Sequence, residues 1–332
     1  STAPVLSDDG LLPVPVALRV FVASDGRDYA VMPGGLARLC PVQEGRAFDF
    51  SRYGGGKDTW VLTDEQSRPW SGRRRHAAAV ELRRTGRELP SRSADNLFWL
   101  GRYAERAEGT MRQVRSAIQR MTDEDRPDKD LRAIERVLGP LFSKAEVGPP
   151  SPGEKLAGPL SYLERQIGDV VFDPMRPYGL RQTLRELGRI ASLVRDRLSL
   201  DSWQILRDLS PDAFKRRPDF ETPVRYLQIA RILGQLDHGI QRLAAFSGMC
   251  MENMTRSYGW QFLDMGRRVE RAGQMLPMLM SLHDAEDPED DCSLILILAI
   301  ADSFMTYRSR YLQTPQVAPV LDLLLLDESN PR

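Results

Sequence analysis

Lysine is nearly missing from this 332-residue chain: five lysines (Lys57, Lys129, Lys144, Lys155, Lys215) stand against 41 arginines. An excess of cation is missing too. Lys+Arg and Asp+Glu are 46 each, so the formal net charge is zero, which argues against a histone-like or tail-type nucleic-acid binder. Cys40, Cys250 and Cys292 lie far apart and form no Cys-x-x-Cys pair, so neither a disulfide framework nor a zinc cluster is supported. Three histidines (His76, His238, His283) are too few for most transition-metal sites, and none sits at the Glu-x-x-His spacing of a di-iron bundle, so no metal site is expected. The longest apolar run, Leu294 to Ile300, falls far short of the roughly 20 residues that cross a bilayer. No signal-peptide pattern opens the sequence, and the expectation is a cytoplasmic protein without a membrane partner.

What is present is ordinary for a globular chain: 42% hydrophobic and 28% charged residues, and enough length for two or three domains. The arginine excess has two readings, a GC-rich genome or fixed planar pairing of guanidinium forks with carboxylates and phosphates.

Residues 14–62 read as β structure. Ala17 to Ala23 is a β-branched run, Ser24-Asp25-Gly26 is a hairpin signal, and Tyr29 to Met32 continues. Pro33-Gly34-Gly35 breaks the chain, Leu36 to Val42 resumes, and Gly54-Gly55-Gly56 precedes a short strand at Thr59 to Leu62. So few large apolar side chains cannot form an independent core, and this piece must lean on something else. Residues 67–90 form a basic linker with Arg68, Arg73, Arg74, Arg75, Arg83, Arg84 and Arg87. Aromatic residues for base stacking are nearly lacking, with Trp70 alone, so a solvated linker is preferred to a nucleic-acid contact.

From Ser91 the pattern is helical to the end. Ser93 or Asp95 can cap a helix running to about Met121, and further helices fit 128–138, 160–168, 175–198, 223–256, 258–282, 291–312 and 316–326. Gly148 to Gly158 reads as a loop, and Asp284 to Asp291 as a solvated acidic loop. Methionines 249, 251, 254, 265, 275, 278 and 280 read as core filler, and Cys250 as a buried side chain rather than a nucleophile.

The most informative feature is an internal repeat. Gly101-Arg102-Tyr103-Ala104-Glu105-Arg106-Ala107 returns 165 residues later as Gly266-Arg267-Arg268-Val269-Glu270-Arg271-Ala272. Each copy follows an aromatic-rich turn, Phe98-Trp99 or Trp260 with Phe262. A mid-helix glycine costs about 1 kcal/mol relative to alanine, so its recurrence points to close approach of another helix. Arg102/Arg106 and Arg267/Arg271 are like charges four residues apart, which repel and need acidic partners or an anionic ligand. Two readings stand. In one, the repeats are pseudo-symmetric helices crossing at their glycines, each glutamate bridging the other copy's arginines. In the other, the arginines line a pocket for a carboxylate or phosphate. The same style of polar residue recurs at Asp95 and Asn96, at Glu252, Asn253 and Arg256, and at Asp302, Tyr307, Arg308 and Arg310.

These motifs carry a resemblance. Ser91 to Glu108, Met251 to Arg256, Gly259-Trp260 with Gly266 to Ala272, and Thr306 to Tyr311 resemble, in order, the signatures of the alpha-E family, an all-helical domain covering about residues 91–332. Leu18 to Phe21, Val31 to Arg38 and Gly54 to Leu62 are similar to the C-terminal end of a circularly permuted ATP-grasp domain, covering about residues 1–66. The fold class that follows is mainly α, a helical bundle with a small N-terminal β-rich remnant. ATP-grasp enzymes are carboxylate–amine ligases, in which ATP phosphorylates a carboxylate and an amine attacks the acyl phosphate. The resemblance makes Arg19 and Arg38 phosphate-neutralising residues, with Gly34, Gly35 and Lys57 beside them. It lacks the strand with the nucleotide-binding lysine, the phosphate-covering loop and a Glu-x-Asn pair for Mg²⁺; Glu328-Ser329-Asn330 has that spacing but reads as a turn.

The expectation is the alpha-E region of an ATP-dependent amide or peptide ligase, the helices positioning substrate and the rest of the ATP-grasp domain carrying the chemistry. ATP and Mg²⁺ belong to the complete ligase and not to this chain alone. The partner is the remainder of the ATP-grasp domain, with a second copy of the chain as a further candidate. The alternative is a non-catalytic helical scaffold whose Arg–Glu network is structural.

Overall fold

The computed structural model describes residues 2–7, 10–24, 28–39, 56–59, 89–123, 128–143, 158–217, 225–282, 291–311 and 314–330. The chain divides into two compact units, Ser1–Leu82 and Arg83–Arg332. Most of the basic linker, the Gly148 loop and the acidic run after His283 lie outside the described residues.

The first unit is an antiparallel meander of β1 (Thr2–Ser7), β2 (Gly10–Ser24), β3 (Tyr29–Leu39) and β4 (Gly56–Thr59), ordered β1-β2-β3-β4. The break expected at Pro33-Gly34-Gly35 does not occur, because β3 runs through it. A Cβ on Gly35 would lie 2.8 Å from the Arg19 carbonyl oxygen, so glycine here admits the neighbouring strand rather than a turn. The register shifts between Val20 and Val22, a bulge that bends the long pair. β4 starts at Gly56, three residues before the expected strand. Leu18, Val20, Val22 and Val31 remain exposed, as expected for a sheet too small to bury its own apolar side chains.

The second unit holds ten α-helices among the described residues. They are α1 (Ser91–Met121), α2 (Asp128–Ser143), α3 (Pro159–Phe172), α4 (Leu180–Leu193), α5 (Leu200–Asp208), α6 (Arg225–Asn253), α7 (Tyr258–Met280), α8 (Asp291–Ile300), α9 (Phe304–Tyr311) and α10 (Val317–Leu321). The architecture is therefore mainly α with a small N-terminal sheet. No single helix among the described residues is long and apolar enough to cross a membrane.

Helix α1 is the axis of the bundle. Leu97, Leu100, Ala104, Ala107, Met111 and Val114 are buried along it, and α4, α6, α7 and α8 pack around it. Its start differs from the expected cap. Pro90 occupies the N-cap, its carbonyl accepting from the amides of Ser93 and Ala94 at 2.8 and 3.0 Å, and Ser93 and Asp95 fall inside the helix.

The expected 175–198 helix is shorter. Tyr178 takes a left-handed backbone (φ 60°) and Gly179 caps α4, which ends at Leu193. The sequence reading missed α5, although Ser199 accepts a hydrogen bond from the Ser202 amide at 3.1 Å in ordinary N-cap fashion. The expected 291–312 helix breaks in two. Asp302 has φ 54°, the Ser303 amide returns to the Leu298 carbonyl and the Asp302 amide to that of Ala299, a left-handed C-terminal closure that turns α9 by 118° from α8. The core-filler reading of the methionines holds for buried Met278 and half-buried Met249, Met254 and Met275. Met251, Met265 and Met280 are exposed.

Candidate functional site

Helices α1 and α7 cross at the two repeat glycines. A Cβ on Gly101 would lie 2.1 Å from the Leu263 carbonyl oxygen, and one on Gly266 would lie 2.1 Å from that of Phe98. Both contacts are with main chain, so only glycine permits this approach. The aromatic residues that precede the repeats lie within the helices, not in turns: Phe98 and Trp99 in α1, Trp260 and Phe262 in α7.

One turn beyond each glycine the acidic and basic side chains exchange between helices. Arg102 donates to Glu270, and Arg106 donates to both Glu270 oxygens at 2.7 and 2.9 Å. In return Glu105 accepts from Arg267 at 3.3 Å and Arg271 at 2.6 Å. Each pair of like-charged arginines thus shares one carboxylate on the opposite helix. The Arg102/Glu105 and Arg267/Glu270 spacing, readable as a same-helix pair, serves this crossed arrangement. Both carboxylates are almost completely buried. Burial pushes the Glu270 carboxyl up, but the hydrogen bonds and charges of Arg106 and Arg102 outweigh it and hold it below the ordinary carboxylate range. Burial pushes the Arg271 guanidinium down, and the hydrogen bond and charge of Glu105 carry it above its usual value.

Aromatic rings cover the first pair of arginines. The Arg102 guanidinium lies 5.5 Å from the Trp99 ring and 5.8 Å from that of Phe98. Arg106 sits between Tyr103 and Tyr178, at 5.3 and 5.0 Å. The space beside Arg106, Glu270 and Gln274 measures about 20 Å³, the room of a single water molecule and too little for a carboxylate or phosphate ligand. This geometry favours the reading in which the repeats clasp each other.

A second ionic layer escaped the sequence reading. Arg112, buried in α1, pairs with buried Glu108 at 3.0 Å and with Asp302 at 3.2 Å. The Glu108/Arg112 spacing of four was its available signal. Asp302, expected as a ligand-facing residue, holds this layer from the α8–α9 corner.

The remaining candidates do not converge on the clasp. Asp95 is exposed and Asn96 half-buried in the first turns of α1. Glu252 and Arg256 are exposed; Arg256 stacks 4.2 Å from the Trp260 ring and donates to the Met251 carbonyl at 2.6 Å. Asn253 lines a separate cleft. Tyr307 is fully buried, its hydroxyl donating to the Thr314 carbonyl and accepting from the Gln316 amide. Arg310 pairs with Asp327, and Arg308 is exposed. Glu328-Ser329-Asn330 forms a turn, with the Asn330 amide donating to the Leu323 carbonyl at 3.0 Å. In the sheet unit, Arg19 pairs in register with Leu36 and Arg38 with Ala17, which puts both arginines on one face. Lys57 donates to the Pro4 carbonyl, and Gly34 and Gly35 lie within β3. Among the described residues no group of three His, Cys, Asp or Glu side chains is placed to hold a metal ion.

A protein-family model named Alpha-E, described as a predicted alpha-helical domain with a conserved ER motif, matches residues 89–332. The uncharacterized protein Rv2567 of Mycobacterium tuberculosis is 26% identical over 350 residues, covering all of this chain, and the chain spans 38% of that relative's length. An uncharacterized protein of Mycobacterium leprae is 45% identical over 67 residues, 20% of this chain and 12% of its own length. No solved structure matches.

Proposed function

The chain belongs to the Alpha-E family, and from that premise we propose that its helical unit is a non-catalytic scaffold serving an ATP-dependent carboxylate–amine ligase. One observation carries the scaffold reading: the four repeat arginines are taken up by two buried carboxylates in a reciprocal exchange. Breaking a buried pair by removing one partner costs about 3–5 kcal/mol, because the remaining charge is left uncompensated. A network of that kind fixes how two helices cross and gives a rigid platform on which a substrate or partner is positioned.

The ligase context rests on the resemblance of residues 1–66 to the end of an ATP-grasp domain, and agrees with relatives much longer than this chain. In this reading the rest of an ATP-grasp domain is the partner, ATP and Mg²⁺ are its cofactors, and the assembly works in the cytoplasm. Arg19 and Arg38 supply cations on one face of the sheet. Among the described residues no group of three His, Cys, Asp or Glu side chains is placed to hold a metal ion, and no chemical step is assigned to them.

The experiment has two arms. Calorimetry of this chain with Mg-ATP is expected to give no micromolar binding, and saturable binding with hydrolysis overturns the assignment of chemistry to another part. Arg102→Ala and Arg267→Ala each leave the shared carboxylate one arginine and are expected to lower the melting temperature by about 3–8 °C. Unchanged melting together with lost ligation in a complete ligase would instead make these arginines a substrate site.

A further inference from the structure

The 251–256 motif is unused by the clasp, and it borders a cleft. Where α6 ends and α7 begins, a space of about 240 Å³ opens between them, the start of α5 and the first turns of α1. One side is apolar: Leu97, Leu198, Met249 and Met254. The other is polar: Arg197, Ser199, Ser202, Asn253, Thr255 and Ser257. Among the described residues lining the cleft, Arg197 is the one charged side chain and no Asp or Glu is present. Its Nε forms an ion pair with the exposed carboxylate of Asp196 at 3.0 Å. The Ser257 hydroxyl does not cap α7, so the same wall also presents the positive end of that helix.

This distribution is chemically specific. The Ser199 hydroxyl donates to that of Ser202 at 2.9 Å, which leaves the Thr255 and Ser257 hydroxyls, the Asn253 amide and the Arg197 guanidinium as donors, and a guanidinium fork matches the two oxygens of a carboxylate. The apolar wall asks for a hydrocarbon body on the same ligand. A volume of about 240 Å³ exceeds the roughly 150 Å³ of a cavity that takes up benzene, and so admits an amino-acid-sized ligand. We propose that this cleft is a binding site for a small amphipathic carboxylate, an amino acid or the C-terminal residue of a peptide. Its carboxylate meets Arg197 and the hydroxyls, and its side chain lies against Leu97, Leu198, Met249 and Met254. The inference goes beyond the scaffold reading and stands without it.

The test is isothermal titration of the full chain with N-acetyl-L-leucine, N-acetyl-L-leucinamide and inorganic phosphate. Saturable binding of the acid is expected, with the amide and phosphate at least tenfold weaker. Arg197→Ala should weaken the acid about tenfold, by loss of a charged hydrogen bond. Asn253→Trp, at an exposed position that fills the cleft, should abolish binding without changing the melting temperature. No saturable binding overturns the proposal, as does equal binding of the amide or of phosphate, or binding that survives both substitutions. On the unsubstituted protein, ¹³C-methyl spectra give an independent reading: the Met249 and Met254 methyls should shift on titration with the acid while that of exposed Met305 stays. Uniform or absent shifts contradict the site.

Discussion

Gly101 and Gly266 hold each other's helix at main-chain contact, each within 2.1 Å, at its absent Cβ, of a carbonyl oxygen on the other helix. Those carbonyls belong to Leu263 and Phe98, themselves 165 residues apart, so the sequence repeat appears in space as a local two-fold relation between α1 and α7. The Arg–Glu exchange follows from that approach: side chains one turn beyond each glycine are close enough to reach the facing helix.

Alanine at either glycine pushes against a carbonyl that has no rotamer to escape to. Gly101→Ala and Gly266→Ala should each cost at least about 3 kcal/mol, the upper end for overpacked cores. Gly234→Ala in α6 meets nothing within 4 Å and should stabilise by about 1 kcal/mol. Calorimetric melting of the three variants reads the contrast.

Acid should weaken the clasp in a definite window. The Glu270 carboxyl is held below its ordinary value in the folded protein, despite burial, by Arg106 and Arg102. The unfolded chain therefore binds the proton first, near pH 4.3. The contribution is fully present above that pH and is lost as pH falls toward the lower folded value. Urea midpoints between pH 6 and 3 should drop steeply for the unsubstituted protein. For Glu270→Gln they should start lower and fall less.

Cys250 should be chemically quiet. Burial pushes its thiol up to about 12, with nearby Arg267 pulling only partly in the other direction. At pH 8, site-resolved iodoacetamide labelling should modify half-exposed Cys292 while Cys250 reacts only after unfolding. Comparable rates at the two sites would contradict the packing described for α6.

Asp302 serves two purposes, a left-handed corner and a carboxylate for buried Arg112. Asp302→Asn keeps a side chain that tolerates φ 54° and removes the charge. It should cost about 1 kcal/mol. Asp302→Ala loses both features and should cost about 1–2 kcal/mol more. Urea denaturation of the two variants orders them.

Much of this was legible because local pattern and tertiary role agree. Apolar spacing over Leu97 to Met111 placed α1, and the recurring glycine placed the crossing. The reading failed where a local rule was overridden by a neighbour. Pro33-Gly34-Gly35 spells a turn, but Gly35 is spent on admitting the Arg19 backbone. The run from Asp291 to Tyr311 spells one helix, and a left-handed aspartate, a rarer occupant than glycine or asparagine, closes it. The methionine stripe looked uniformly internal because period alone does not tell which face of α7 meets α1. The cleft beside Asn253 was invisible for another reason. Its walls come from α1, α5, α6 and α7, and the motifs at Ser91 to Glu108, Met251 to Arg256 and Gly259-Trp260 marked three of them without showing that they meet.

The central claim is that the repeat's charges pair across the two helices rather than along them. A double-mutant cycle on Arg106→Ala and Glu270→Ala measures the crossed pair, and one on Arg102→Ala and Glu105→Ala measures the same-helix spacing. The account predicts a coupling of about 1–3 kcal/mol for the first and less than about 0.5 kcal/mol for the second. Coupling in the same-helix cycle with none in the crossed cycle would contradict it.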